Sequence, residues 1–150
     1  MNYYNNIKQE LLNNEINRKV KEYSINKSDL ITYYNVGKIL SLAGKHYGEG
    51  IIKNYSLKLT QEIDKKYNVT NLKRMRQFYL LIEKGATMWH QLSWSHYREI
   101  LPIKNINVVN YYLDKARRNN LSQRQLHELI KNMKDYHKQK TKQVIKKIIY

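Results

Sequence analysis

Lys73, Arg74, Arg76 and Gln77 are the side chains of this 150-residue chain best suited to chemistry with another molecule. Arginine pairs with guanine through two parallel donors, glutamine matches adenine in the same bidentate way, and lysine brings a point charge to a phosphate. All four lie within residues 69–79. Helical winding there puts Leu72, Met75, Tyr79 and Ile82 on one side, with Phe78 at the border. Thr70 is the expected N-cap, its hydroxyl accepting from the open amides of the first turn. A short helix, apolar behind and rich in Arg, Lys and Gln in front, has the build of a nucleic-acid recognition helix. A core helix with a solvated basic face has the same pattern. For Arg76 the structural alternative is an ion pair with an acid such as Glu83 or Asp29.

Charge favours a polyanionic partner. Lysine and arginine number 28 against 12 acids, a formal net charge of +16, and such an excess draws nucleic acid first and anionic membrane second. An AT-rich genome also inflates Lys, Asn, Ile and Tyr, all abundant here, but codon bias would spread the excess evenly. Instead, eleven basic residues from Lys115 to Lys147 face only Glu128 and Asp135, so this segment carries +9 of the +16. Arg117, Arg118, Arg124, Lys131 and Lys134 are the candidates for neutralising phosphates, which gives affinity without sequence choice. There is no cysteine, which excludes disulfides and thiolate metal sites. No apolar run approaches the ~20 residues of a membrane span, and the start of the chain lacks the layout of a secretion signal. The expectation is a cytoplasmic protein that does not use a membrane.

The elements that must position these side chains are all helical, with no alternating β pattern and no internal repeat. Ile7, Leu11, Leu12, Ile16 and Val20 give a first helix over about 5–20. Tyr23, Ile25, Leu30, Tyr34 and Leu40 continue the period, as one long helix to about 43 or as two meeting near 24–27, where Ser28 or Asp29 would cap the second. Gly37 lies inside this pattern. A glycine there costs about 1 kcal/mol relative to alanine, so a neighbouring helix is expected to pack closely against it. Gly44, Gly48 and Gly50 mark the clearest break and match no phosphate-cradling spacing. The next helix spans about 51–67 with Ile52, Tyr55, Leu59 and Ile63 inward, and a turn of about three residues leads into the basic helix. That pair has a helix-turn-helix layout. Gly85 closes the second. Trp89 and Trp94 read as core plugs rather than base-stacking platforms. Ser93 or Ser95 caps a short helix that Pro102 stops. Ile106, Val109, Tyr112, Leu113 and Ala116 make another, ending at Asn119-Asn120. Ser122 caps a last basic helix with Leu126, Leu129, Ile130 and Met133 on its inner face, running towards Ile149. The chain is expected to be one all-α domain, a helical bundle containing a helix-turn-helix-like unit, with its core over about 17–135 and a basic helical extension over 136–150.

Four motifs align with a known family. Tyr33-Tyr34-Asn35-Val36-Gly37-Lys38-Ile39 is similar to the "YW-x-IGK-x-I" helix of the YhcG-type N-terminal domain. Asn71-Leu72-Lys73-Arg74-Met75-Arg76-Gln77-Phe78-Tyr79 resembles its "NL-x-RMRQFY" almost residue for residue. Gln91-Leu92-Ser93-Trp94-Ser95-His96-Tyr97 resembles "QLPWSHY", and Asn120-Leu121-Ser122-Gln123-Arg124-Gln125-Leu126 resembles "WS-x-R-x-L". Order and spacing agree from about residue 17 to 131. Ser93 stands where the family has proline and Leu121 where it has tryptophan. The resemblance implies a helical domain with helix-turn-helix-like DNA binding. In bacteria and mobile elements it commonly precedes a PD-(D/E)xK nuclease domain, in DNA processing or defence. The 150 residues leave no room for that nuclease domain.

A nuclease of that superfamily needs an acid and then an acid-x-Lys on a strand, so that carboxylates hold a divalent ion at the scissile phosphate. Asp64 and Lys66 have the spacing but sit in a helical stretch without a partner acid. His46, His90, His96, His127 and His137 show no zinc spacing. The expectation is a DNA-binding module, DNA more than RNA, without catalysis, metal or cofactor. The competing expectation is an adaptor or inhibitor acting on a nuclease or nucleoprotein complex. Leu126, Ile130, Met133, Val144 and Ile148 would then form the stripe that pairs helices in a homodimer or docks on that partner.

Overall fold

A computed structural model describes residues 2–20 and 25–133, and within them every regular element is a helix. The order is α1 (Tyr3–Val20), α2 (Ile25–Tyr47), α3 (Gly50–Glu62), α4 (Val69–Glu83), α5 (Trp94–Ile100) and α6 (Ile106–Arg118). A further helix, α7, covers 123–133. The whole of the expected basic extension over 136–150, and Lys134 before it, lie outside the described residues.

The scaffold is organised around α2, which packs on α1 along one side and most extensively on α4 along another. Gly37 makes the α2–α4 crossing possible. A Cβ added there would stand 2.1 Å from the Met75 carbonyl oxygen and 2.8 Å from Tyr79 Cβ. The mid-helix glycine is thus explained as expected, because only a residue without a side chain admits the neighbouring backbone so closely. From α4, Leu72, Met75, Phe78 and Leu81 are buried. This corrects the expected stripe. Phe78 is central rather than marginal, ringed by Trp94 at 5.3 Å and Tyr97 at 5.0 Å, and Tyr79 and Ile82 are half-buried at its edge.

Of the two arrangements the sequence left open, the structure has two helices, α1 and α2, and they meet through polar groups. Asn14, Ser28 and Asp29 are buried between them. Asn14 donates to Asp29 at 2.9 Å and accepts from the Ser28 hydroxyl, while the Arg18 guanidinium reaches both Asp29 oxygens at 2.6–2.7 Å. Ser28 and Asp29 therefore lie one turn inside α2 and do not cap it. Each buried polar group needs a partner, and this network supplies them. It also shifts the inward face of α1 to Ile7, Leu11 and Asn14, so that Ile16 is exposed.

The basic helix is entered differently from the expectation. Helix α3 stops at Glu62 and six residues, 63–68, lead to α4. Tyr67 explains the early stop. Its ring is fully buried, its hydroxyl donates to Glu15 at 2.7 Å, and its carbonyl accepts from Ser56 at 3.2 Å. Burial works to raise the Glu15 carboxyl, but donors Lys66 and Tyr67 outweigh it and hold it below the ordinary range. The N-cap of α4 is Asn68, whose side chain accepts from the Asn71 amide at 3.0 Å; Thr70 lies inside the first turn. Asp64 accepts from the Lys66 amide at 2.8 Å and the Lys66 ammonium pairs with Glu15 at 2.5 Å, so both members of the acid-x-Lys pair serve this loop.

The second half follows the sequence closely. Ser93 caps α5 in a reciprocal arrangement with His96: the Ser93 amide donates to Nδ1 at 3.0 Å. The other ring nitrogen, Nε2, donates to the Leu121 carbonyl at 2.7 Å, which ties α5 to the α6–α7 turn. Val109, Tyr112, Leu113 and Ala116 bury one face of α6, and Asn120 ends the run with a positive φ of 52°. Ser122 and Gln125 cap α7 reciprocally, at 3.1 and 2.8 Å. Leu126 is fully buried, and Leu129, Ile130 and Met133 pack against the core. Of the stripe expected to pair helices, Leu126 is buried inside the domain, Ile130 and Met133 are partly buried against its core, and Val144 and Ile148 lie outside the described residues. Among the described residues no helix is long and apolar enough to cross a membrane.

Candidate nucleic-acid interface

Because α4 buries Leu72, Met75, Phe78 and Leu81, the opposite positions Lys73, Gln77, Leu80 and Lys84 point outward at spacings of four, three and four. All four are exposed. Among the described residues, Lys73 and Gln77 make no hydrogen bond or ion pair. They stand one and two turns in from the N-terminus of α4.

Arg74 and Arg76 are placed differently. Arg74 is half-buried and donates to Asn71 Oδ1 at 3.2 Å, and Asn71 in turn donates to the Lys66 carbonyl at 2.6 Å. This arginine braces the entry loop. Arg76 lies beside Gly44 in the last turn of α2 and pairs with Glu49 at 2.8 Å. The arginine side chain is only 20% exposed, whereas that of Glu49 is 74% exposed. The acids considered for Arg76 are committed elsewhere: Asp29 holds Arg18, and Glu83 accepts from the Tyr34 hydroxyl. Glu49 stands between Gly48 and Gly50 in the α2–α3 turn, 27 residues from Arg76, and no local spacing signals it.

The second basic group is on α6 and α7. Asp114 takes both Arg117, at 2.7 Å, and Arg118, at 3.0 Å. The Arg117 guanidinium also stands over the Trp89 ring, 4.0 Å from its centroid, so it fixes the loop after α4 against α6. Arg118, Arg124 and Lys131 are exposed. Arg124 shares the rim of an open groove with Lys115, over a floor of Leu121 and Leu129. Among the described residues no ion pair or hydrogen bond joins this group to Lys73 or Gln77. His127 pairs with Glu99 at 2.7 Å. Burial tends to raise the Glu99 carboxyl, and donation from His127 and Gln123 overrides it, leaving it lowered. Among the described residues no three His, Cys, Asp or Glu side chains converge as a metal site.

The family model of the DUF1016 N-terminal domain matches residues 6–138. This chain belongs to that family. The DUF1016 N-terminal domain is the YhcG-type N-terminal domain of the four motifs above. No curated protein and no solved structure matches the chain.

The geometry shows what most of the DUF1016 motifs do. Gly37 of the first accepts the backbone of Met75 in the second. Trp94 of the third packs edge-on to Tyr33 at 4.9 Å and to Phe78 at 5.3 Å, the plug expected of it. His96 of the third bonds Leu121 of the fourth. These residues hold the DUF1016 fold together. Arg74 and Arg76 have structural partners as well. Lys73 and Gln77 are the exceptions within the second motif, polar and exposed, with no partner among the described residues.

Proposed function

We propose that this DUF1016 N-terminal domain is a DNA-binding module without catalytic activity of its own, working in the cytoplasm beside a PD-(D/E)xK nuclease in DNA processing, defence or a mobile element. The observation that carries the reading is Gln77. Packing or a structural partner explains Leu72, Arg74, Met75, Arg76 and Phe78 of its motif and leaves this side chain outward, with Lys73, on a helix with a capped N-terminus. Gln77 would read a base edge, Lys73 and Arg76 the adjacent phosphates, and Leu80, 44% exposed, a thymine methyl. The pair α3–α4 would act as a helix-turn-helix-like unit with a six-residue link. Arg118, Arg124 and Lys131 would add sequence-independent affinity, with the basic residues beyond 133 extending that contact.

Affinity for a blunt duplex is expected to fall steeply with salt, and Lys73→Ala to flatten the log–log slope by about one unit. Fluorescence anisotropy across a salt series measures this. Absence of binding at low salt, or an unchanged slope, contradicts the reading. A second reading, an adaptor docking on a nuclease chain, is favoured by the exposed Leu57 and Leu80. It predicts a complex with that chain that survives high salt.

A further inference from the structure

Two short stretches remain outside this account, Asn2-Tyr3-Tyr4 at the start of α1 and His46-Tyr47 at the end of α2. They meet in space. The Tyr3 ring is edge-on to Tyr47 at 6.1 Å and to His46 at 6.4 Å, and Tyr4 is 5.5 Å from Tyr55. Asn2, Tyr3, Tyr4, Tyr47, Ile51 and Tyr55 line an open pocket of about 480 Å³. Tyr55 is buried and forms the floor; burial first, and then the neighbouring Tyr47 and Tyr3, push its phenol up. Tyr47 is 58% exposed, so an aromatic face stands in solvent.

The charge around the pocket selects among ligands. The Lys58 ammonium stands 5.1 Å over the Tyr4 ring. Of the acids near it in the chain, Glu62 is already taken by the Tyr4 hydroxyl and by Lys8 at 3.1 Å, and Glu49 by Arg76 at 2.8 Å. Lys45 and His46 are exposed beside Tyr47. An aromatic cage for a cation needs spare negative charge, and here the rim is cationic. Aromatic faces, phenolic hydroxyls and a cationic rim suit a flat ring carried on an anionic backbone. Tyr47 also precedes Glu49, the partner of Arg76, by two residues, so the pocket borders the turn that the α4 face uses.

We propose that this pocket stacks an unpaired nucleobase, giving the domain a second contact for single-stranded or frayed DNA; the inference rests on the nucleic-acid reading above. A short dye-labelled single strand and a blunt duplex are titrated against the full chain and two variants. Tyr47→Ala is expected to weaken the single strand by about tenfold and to leave the duplex unchanged, while Tyr47→Trp, which keeps an aromatic face, retains single-strand affinity. Unchanged single-strand binding by Tyr47→Ala, an equal loss on both probes, or the same loss with Tyr47→Trp overturns the proposal. Wild-type binding to the duplex alone overturns it and leaves the duplex reading standing. Wild-type binding to neither probe removes both.

Discussion

Gly37→Ala is expected to destabilise the domain by about 3 kcal/mol, a fall in Tm on the order of 10 °C. Alanine is the better helix former by about 1 kcal/mol, so propensity alone would predict the opposite sign. Packing decides against it. The new methyl would stand 2.1 Å from the Met75 carbonyl oxygen and 2.8 Å from its carbon. Backbone cannot rotate away as a side chain can, so α4 must move off α2, loosening Met75, Phe78 and Trp94 together. Gly44→Ala in the same helix is the control. Its Cβ would meet only Arg76 Nη1, at 3.9 Å, and stability is expected to be unchanged or higher by about 0.5–1 kcal/mol. Thermal unfolding followed by circular dichroism checks both. Equal effects of the two substitutions would show that the α2–α4 crossing is not the critical contact.

Glu49→Ala is expected to tighten duplex binding about fivefold to tenfold near 0.1 M salt and to steepen the salt slope by about one unit. Glu49 occupies the Arg76 guanidinium, as a phosphate would, with a 2.8 Å charge-assisted bond. The Arg76 side chain is only 20% exposed, but the Glu49 side chain is 74% exposed, so solvent screens the pair from that side and removing Glu49 is expected to cost the fold at most about 1 kcal/mol. Anisotropy at several salt concentrations, with Arg76→Ala as the comparison, measures the effect. An affinity that stays the same or falls in Glu49→Ala assigns Arg76 to the α2 C-terminus alone.

Helix content and most boundaries were legible because the apolar periods are strong, and the close approach at Gly37 was legible because glycine in a helix interior needs a reason. The register of α1 was hidden. Asn14, buried with Ser28 and Asp29, takes a core position that hydrophobic spacing hands to Ile16, and satisfied polar networks leave no periodic trace. The end of α3 was hidden for a related reason: Tyr67 fits a helical pattern, yet its tertiary bond to Glu15 draws it out of the helix. At the site, exposure of Lys73 and Gln77 followed from the apolar stripe behind them. The Arg76–Glu49 pair and the commitment of Arg117 to Asp114 and Trp89 did not, because the Arg76–Glu49 and Arg117–Trp89 contacts join residues distant in sequence, and the nearby Asp114 gives no sign of which arginines it will hold.

The central claim is that the outer face of α4 touches DNA. Its most direct test is a titration of the isotope-labelled chain with a short duplex, followed by amide chemical shifts. The account predicts progressive shifts at Lys73, Gln77 and Leu80, with smaller ones at Arg124 and Lys131. Shifts confined to other surfaces, or none at saturating duplex and low salt, would contradict it.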